Sequence, residues 1–404
     1  MAGVRPALLL LAQRIPYPAN KGEKIRLLHI LRHLAVTHDV HLGTLVDDPD
    51  DMQHIQAVRA LCASAHFAVL DRKRARVTCL RGLLTGEALS VTFYNDAGLA
   101  AWVRETIARV HPGTIVISSS NMAPYVLDLP GAAARCVVDL VDVDSEKWRA
   151  YAETDRGPMR WVNRREWHRV RALEGRIARE CRWCTFVSVP EAALFQSQHP
   201  EAAPRIRAIS NGVDHVYFDP AALDQAGAKA APYDTGRPTY VFTGTMDYPP
   251  NIDAVTWFAT AILPRIQVAQ PRAQFVIVGA NPAPSVCALA RDGVIVTGRV
   301  ADVRPYTAHA TAAVAPMRIA RGIQNKVLEA MAMARPVVLT SDALEGIDAT
   351  PGTEILLADT EDGFAAACLG AGKAGEVGLA ARRRVVAHYS WPAQLQALDG
   401  LIAA

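Results

Sequence analysis

Short apolar runs alternate with amphipathic helical patterns along the chain, stop, and then start again. This constrains the fold more than any other feature. Ala7–Ala12 (ALLLLA) reads as a buried strand, and Ile25, Leu28, Leu31 and Leu34 come next at helical spacing. Further strands are expected at 40–46, 65–70, 115–118 and 136–141, with a helix at 55–61. Another strand is expected at 185–189, with a helix starting at Pro190-Glu191, and a short strand at 206–210 before the turn signal Asn211-Gly-Val-Asp214. Residues 219–238 are rich in Pro, Gly, Asp and Ala and read as an exposed connection. The alternation then resumes, with strands at 239–243, 274–279, 294–297, 311–315 and 336–340 and helices at 254–262 and 326–333. Repeated βα units of this kind make parallel sheets. The expected fold class is therefore α/β, with two Rossmann-like, doubly wound domains. The expected boundaries are 1–205, 206–385 and a C-terminal crossover helix in 386–404 that packs back onto the first domain. Two such domains facing a cleft would bind ligands at the carboxyl ends of their strands.

Composition narrows the function classes. The 404 residues are 50% hydrophobic and 21% charged, the range of a globular chain and not of a disordered one. Lys plus Arg exceed Asp plus Glu by 43 to 40, a net +3 that is too mild to argue for a nucleic-acid partner. No stretch reaches the ~18 apolar residues of a membrane span, and 7–12 is too short for a signal-peptide core. Seven scattered cysteines imply no disulfide framework, and Cys181-Arg-Trp-Cys184 lacks a second ligand pair for zinc. A reduced, cytoplasmic protein is expected. Residues 156–182 carry nine arginines against three glutamates, with Trp167, Val170, Leu173 and Ile177 on one helical face. Such a basic helix is either simply solvated or drawn to anionic lipid or to a pyrophosphate-linked acceptor, which would place the protein peripherally on the inner membrane.

The loops at the strand ends carry the chemistry. After the first strand comes Arg14-Ile-Pro-Tyr-Pro-Ala-Asn-Lys-Gly22, where Gly22 would let a phosphate or sugar approach a helix N-terminus. No Gly-x-Gly-x-x-Gly and no Walker A loop occurs, which removes most support for a dehydrogenase or a P-loop enzyme. After 239–243, Gly244 again permits close approach, and Thr243 and Thr245 offer hydroxyls. The most informative stretch is Ala315-Pro-Met-Arg318-Ile-Ala-Arg321-Gly322-Ile-Gln-Asn325-Lys326-Val-Leu-Glu329. Lys326 and Arg318 at a helix N-terminus would hold a dianionic diphosphate, and Glu329 could accept both hydroxyls of a ribose.

Together, Asn211-Gly-Val-Asp214, the Gly244 loop and Lys326-Val-Leu-Glu-Ala-Met-Ala-Met-Ala-Arg-Pro-Val-Val338 resemble the GT-B-fold, family-4-type glycosyltransferases across most of the chain. The wording of Arg14–Gly22, of Asp139-Leu-Val-Asp-Val-Asp-Ser-Glu-Lys-Trp148 and of Gly322–Glu329 is similar to the subgroup of exosortase/PEP-CTERM (XrtA) exopolysaccharide loci. The resemblance implies a retaining, metal-independent hexosyl transfer from a UDP- or GDP-sugar to a glycan or lipid-linked acceptor, with no cofactor beyond the nucleotide-sugar. By that carry-over Glu329 binds the ribose, Gly22 and Gly244 line the diphosphate, and Lys326 and Arg318 neutralise the leaving group. The segment Gly322, Ile323, Gln324, Asn325 touches the donor sugar, and the base lies near Gly298-Arg299-Val300. The chain departs from the family at Arg321, where the first glutamate of Glu-x7-Glu is usual. It departs again after Gly244, where Thr245 and Pro250 or Asn251 stand near the usual Arg and Lys. Arg318, Arg321 and Lys326 are the expected substitutes. The family's first-domain histidine has no match, and Asp142 or Asp144 stands in its place. Three rivals stay open. They are a metal-dependent GT-A enzyme using Asp142-Val-Asp144, a nucleotide-sugar 2-epimerase of the same fold, and a non-catalytic nucleotide-sugar-binding subunit.

Overall fold

The computed structural model describes residues 5–19, 22–225, 230–320 and 323–403. The chain forms two compact units, Met1–Asn211 with Gln394–Ala404, and Gly212–Ala393. The first holds a seven-stranded parallel sheet of order β3-β2-β1-β4-β5-β6-β7. Its strands are β1 (Ala7–Ala12), β2 (Asp39–Val46), β3 (Ser64–Val69), β4 (Thr114–Ser118), β5 (Cys136–Val141), β6 (Trp183–Phe186) and β7 (Ile206–Ala208). The second holds a six-stranded parallel sheet of order β10-β9-β8-β11-β12-β13. Its strands are β8 (Thr239–Thr243), β9 (Gln274–Val278), β10 (Val294–Val296), β11 (Ala312–Ala315), β12 (Val337–Leu339) and β13 (Leu356–Leu357). Helices cover both faces of such sheets, so the strands are unbroken apolar runs. Leu8, Leu9, Leu10 and Leu11 are all fully buried, as are Phe275, Val276, Ile277 and Val278.

Three sequence expectations shift. The first sheet takes in β7, which pairs with β6 through Cys184–Ile206, so the first unit runs to Asn211 and does not end at 205. The strand expected at 185–189 lies earlier, at Trp183–Phe186, because Val189 already opens the helix Val189–Gln198, with the Ser188 hydroxyl accepting from the Glu191 N–H. At the C-terminus, residues 386–393 stay with the second unit. Tyr389 is part of its core, and Ser390 bridges Val213. The helix Trp391–Ala403 carries Gln394–Ala404 into the first unit, where Asp399 meets His33 at 2.7 Å.

In both sheets the strand order reverses once, between β1 and β4 and between β8 and β11. A crevice forms outside the carboxyl ends of the strands at such a reversal. In the second unit those ends are stitched together by backbone. Gly244 N–H donates to Val278 O (3.0 Å), Met246 N–H to Ala280 O (2.8 Å) and Gly279 N–H to Gly298 O (3.2 Å). A Cβ at Gly279 would sit 1.6 Å from the Gly244 carbonyl oxygen. Gly279→Ala is therefore expected to cost about 3 kcal/mol or more by forcing the two strand ends apart. Urea denaturation checks this, and a cost under about 1 kcal/mol would show that the loops can yield.

Candidate functional site

In the second unit the carboxyl ends of β8 and β11 gather the residues singled out in the sequence. Gly244 leaves β8 pressed against Asn251, whose amide nitrogen would lie 2.7 Å from a Cβ there. Asn251, in the first turn of the helix Pro249–Trp257, is 4% exposed. Its Nδ2 donates to Thr245 O at 2.8 Å, and its Oδ1 accepts from Lys326 Nζ at 2.6 Å. Lys326 lies in the first turn of the helix Asn325–Ala332, its ammonium 4.6 Å from the centre of the Phe242 ring. One neutral amide thus joins the Gly244 loop to the cation. Burial pulls the Lys326 amine down to about 8, while the Glu329 carboxylate one turn on supports its charge. Burial in turn pushes Glu329 up to about 7, with Lys326 opposing. Among the described residues the Glu329 carboxylate takes no hydrogen bond. Thr243 and Lys326 line one small cavity.

The other sequence-chosen residues divide. Arg318 is engaged in a two-point pair with Asp253, Nε to Oδ2 at 3.0 Å, and lies over Trp257. Its charge is already answered, which removes it as a ready substitute for the missing phosphate contacts. Arg321 and Gly322 lie outside the described residues. The Ile323 side chain packs on the hydrophobic core, Gln324 stands at the N-cap and Asn325 is exposed at the first helical position. Gly298 adopts φ +68° with open space around it, and Arg299 beside it is exposed. Asn251, Asp253 and Gly279 had no assigned role in the sequence. Only the position of Asn251, where the family's lysine was missing, pointed to it.

The first unit has its own crevice at the ends of β1, β4 and β5. A cavity of about 190 Å³ is lined by Arg14, Lys24, Ser119, Asp142, Asp144 and Lys147, among others. Gly22 opens the helix Gly22–Thr37 with nothing within 4 Å of where a Cβ would be. That helix is anchored one turn in. Arg26 grips Asp139 with two bonds of 2.7 and 2.8 Å, both side chains buried, while Thr185 Oγ1 donates to Asp139 and Asn211 accepts from Arg26. Just beyond Asp139 the pairing with β6 is irregular, and Val141 takes φ +68°. A β-branched residue in the left-handed region is strained. The turn presents Asp142 at the surface and starts the helix Asp144–Thr154. Asp144 accepts from the Ser120 hydroxyl at 3.2 Å, and burial raises its carboxyl above the usual range. Gly22 and Gly244 belong to separate units, as do Asp142 and Lys326.

The basic stretch forms the helix Pro158–Glu180 with Val170 and Ile177 buried. Its glutamates Glu166 and Glu174 turn inward. Glu166 accepts from the Leu89 and Ser90 N–H groups at 2.8 and 3.2 Å, and Glu174 from Ser145 N–H at 3.0 Å. Both satisfy the free donors of a helix start. Burial pushes Glu174 up to about 7. Among the described residues, no cluster of three or more His, Cys, Asp or Glu is placed to hold a metal, and no helix is long and apolar enough to cross a membrane.

Residues 237–371, within the second unit, match the family described as Glycosyl transferases group 1. No curated protein matches the chain by sequence. Solved structures match over nearly the whole length. Sucrose-phosphate synthase from Thermosynechococcus elongatus has 17% identity and a TM-score of 0.65, with 99% of this chain and 98% of that one covered. Anabaena Alr3699/HepE in complex with UDP has 14% identity and a TM-score of 0.60, with 98% and 99% covered. WaaG, a glycosyltransferase involved in lipopolysaccharide biosynthesis, has 16% identity and a TM-score of 0.56, with 98% and 100% covered. These likenesses show the GT-B fold, which sets aside the GT-A layout. With the group 1 domain in its second unit, the chain is a glycosyltransferase.

Two residues of the site can be tested directly. Gly22→Ala should leave the melting temperature within about 1 °C of wild type, since the added methyl meets open space. A loss of ligand affinity without loss of stability would then mark a close backbone contact at Gly22. The second residue is Lys326. Its amine is depressed, so the charged form that pairs with a diphosphate is lost as pH rises through about 8. Donor affinity should fall by up to about tenfold per pH unit above that point, with proton uptake on binding. Calorimetry in two buffers of different ionisation enthalpy tests this, and affinity unchanged from pH 7 to pH 10 would count against it.

Proposed function

We propose that this enzyme transfers a hexosyl group from a UDP- or GDP-sugar to a glycan or lipid-linked acceptor, with retention and without metal, in exopolysaccharide assembly of the exosortase/PEP-CTERM type. The observation that carries the reading is the Lys326–Asn251 pair behind Gly244. A partly desolvated ammonium is held by an uncharged amide, at the strand ends where a fold of this class takes its ligand. The UDP and UDP-glucose in the Anabaena structures support a uridine donor.

Breaking a sugar–diphosphate bond leaves about two negative charges on the departing group, and answering that charge is the main catalytic task. Lys326 supplies the positive charge, and the first N–H groups of Asn325–Ala332 add the helix dipole. Glu329, with no hydrogen bond among the described residues, accepts the ribose hydroxyls. Gly298 and Arg299 are assigned to the base. Arg318 contributes only if a bound phosphate draws it from Asp253. In a retaining transfer the acceptor hydroxyl attacks from the face the diphosphate leaves, and a diphosphate oxygen takes its proton. The first-unit cavity with Asp142 and Asp144 is assigned to the acceptor, whose hydroxyls carboxylates can orient. The exposed arginines of 156–182 favour an acceptor on an anionic membrane, with the protein peripheral to it.

A thermal-shift screen of UDP-, GDP- and ADP-sugars, with and without chelator, tests the reading on wild type and Glu329→Ala. One nucleotide class should stabilise wild type whether chelator is present or not. Glu329→Ala should bind it about 10- to 100-fold more weakly, the loss of about 1.5–3 kcal/mol for hydrogen bonds to a charged acceptor. Its unliganded melting temperature should not fall at pH 8. The raised Glu329 carboxyl means its ionised form is disfavoured in the fold, a penalty that grows as pH climbs from the ordinary carboxylate range through about 7. No shift with any sugar nucleotide would overturn the assignment in favour of a protein without donor chemistry.

A further inference from the structure

The first unit carries a second feature away from the ends of its strands. Between Asp71 and Glu87 the chain holds five basic residues, Arg72, Lys73, Arg74, Arg76 and Arg81, and no acidic one. It folds as the helix Arg72–Thr78, a turn, and the helix Gly82–Thr85. Three of its apolar side chains do not enter the core: Val77 is 70% exposed, Leu80 53% and Leu83 40%.

This segment is tied to the start of the basic helix. Arg165 donates to the carbonyls of Gly82 and Glu87, and Glu166 holds the N–H groups of Leu89 and Ser90. Beside that junction lies an open groove of about 450 Å³, lined by Trp161, Arg164, Arg165, His168 and Arg169. Trp161 is 62% exposed and Met159 54%. Among the described residues, Arg160, Arg164 and Arg169 make no ion pair. The one acid in this half of the helix, Glu166, is 1% exposed and saturated by its bonds. Basic charge therefore predominates on this half of the helix, with the exposed acids Asp155 and Glu87 at its start and at the junction.

Arg72 pairs with Asp47 at 3.3 Å, but Lys73, Arg74, Arg76 and Arg81 beside the exposed aliphatic side chains make no ion pair among the described residues, and such apolar exposure on a basic surface needs an explanation. A nucleic acid would use the arginines and Trp161 but has no use for Val77, Leu80 and Leu83. An anionic bilayer uses both sets, phosphates meeting the guanidinium groups while aliphatic and indole groups enter the headgroup boundary. We infer that residues 72–83 and the first half of the basic helix form one membrane-docking face, with Leu80, Leu83 and Trp161 as the inserted side chains. The inference rests on the proposal of a lipid-linked acceptor and names the surface that would bring the enzyme to it.

Co-sedimentation of the full chain with vesicles tests it. At low salt, wild type should bind vesicles of equal parts phosphatidylcholine and phosphatidylglycerol and not vesicles of phosphatidylcholine alone. Leu80→Ser/Leu83→Ser and Arg164→Glu/Arg169→Glu should each bind about tenfold or more weakly, the second pair accounting for most of the salt dependence. Trp161→Ser is an independent single change at an exposed position. All variants should keep the wild-type melting temperature and its shift with nucleotide-sugar, which separates failure of the docking face from failure of the donor site. Wild type left in the supernatant, equal binding to neutral vesicles, or variants that bind like wild type would each overturn the inference.

Discussion

A parallel sheet covered by helices on both faces has one place for polar chemistry, the edge where its strands end. The candidate donor and acceptor sites of this protein both obey that restriction. Strands such as Leu8–Leu11 and Phe275–Val278 are sealed, and the first residues free to be polar are those just past them. The two reversals of strand order, at β1/β4 and β8/β11, open crevices at those edges. Arg14 and Asp142 stand at one, Gly244 and Lys326 near the other.

At the second-unit edge the contrast between two cations is instructive. Arg318 is matched to a carboxylate, Asp253, and so is electrostatically at rest. Lys326 donates a hydrogen bond to an amide oxygen, which does not neutralise its charge, and only the Glu329 carboxylate one turn on supports that charge. A half-buried ammonium in that condition carries a desolvation penalty that a diphosphate would relieve. Glu329 is in the complementary state, a carboxylate without hydrogen bonds among the described residues, raised by burial. The backbone glycines matter for a different reason. Gly279 must be small because Gly244 passes directly over it, whereas Gly298 is in the left-handed region with room to spare.

In the first unit a buried ion pair performs the anchoring. Arg26 and Asp139 fix the start of the helix Gly22–Thr37 to the end of β5, with Thr185 and Asn211 completing the hydrogen bonds. Buried charges hold only when so satisfied. The turn after Asp139 is strained at Val141, and it is that turn which aims Asp142 and seats Asp144 at the helix start. The basic helix shows the same economy of charge. Glu166 and Glu174 are spent on neighbouring helix starts, leaving Arg160, Arg164 and Arg169 outward.

The sequence by itself determined the architecture, because hydrophobic period and glycine-bounded strand ends are local signals. The strands expected at 7–12, 136–141, 239–243 and 274–279 and the helices around Ile25–Leu34 and Lys326–Met333 all form at those places. It also pointed to Lys326, Glu329 and Gly244, which lie on or beside a helix start or strand end. Tertiary structure decided which charges are available. That Arg318 is taken by Asp253, that Asn251 bridges Lys326 to the Gly244 loop, and that Gly279 must lie beneath Gly244 depend on contacts between distant segments. It also decided that Val77, Leu80 and Leu83 are left outside. Residue type and spacing describe one segment at a time, whereas partnership and burial belong to pairs of segments, and only the folded chain brings those pairs together.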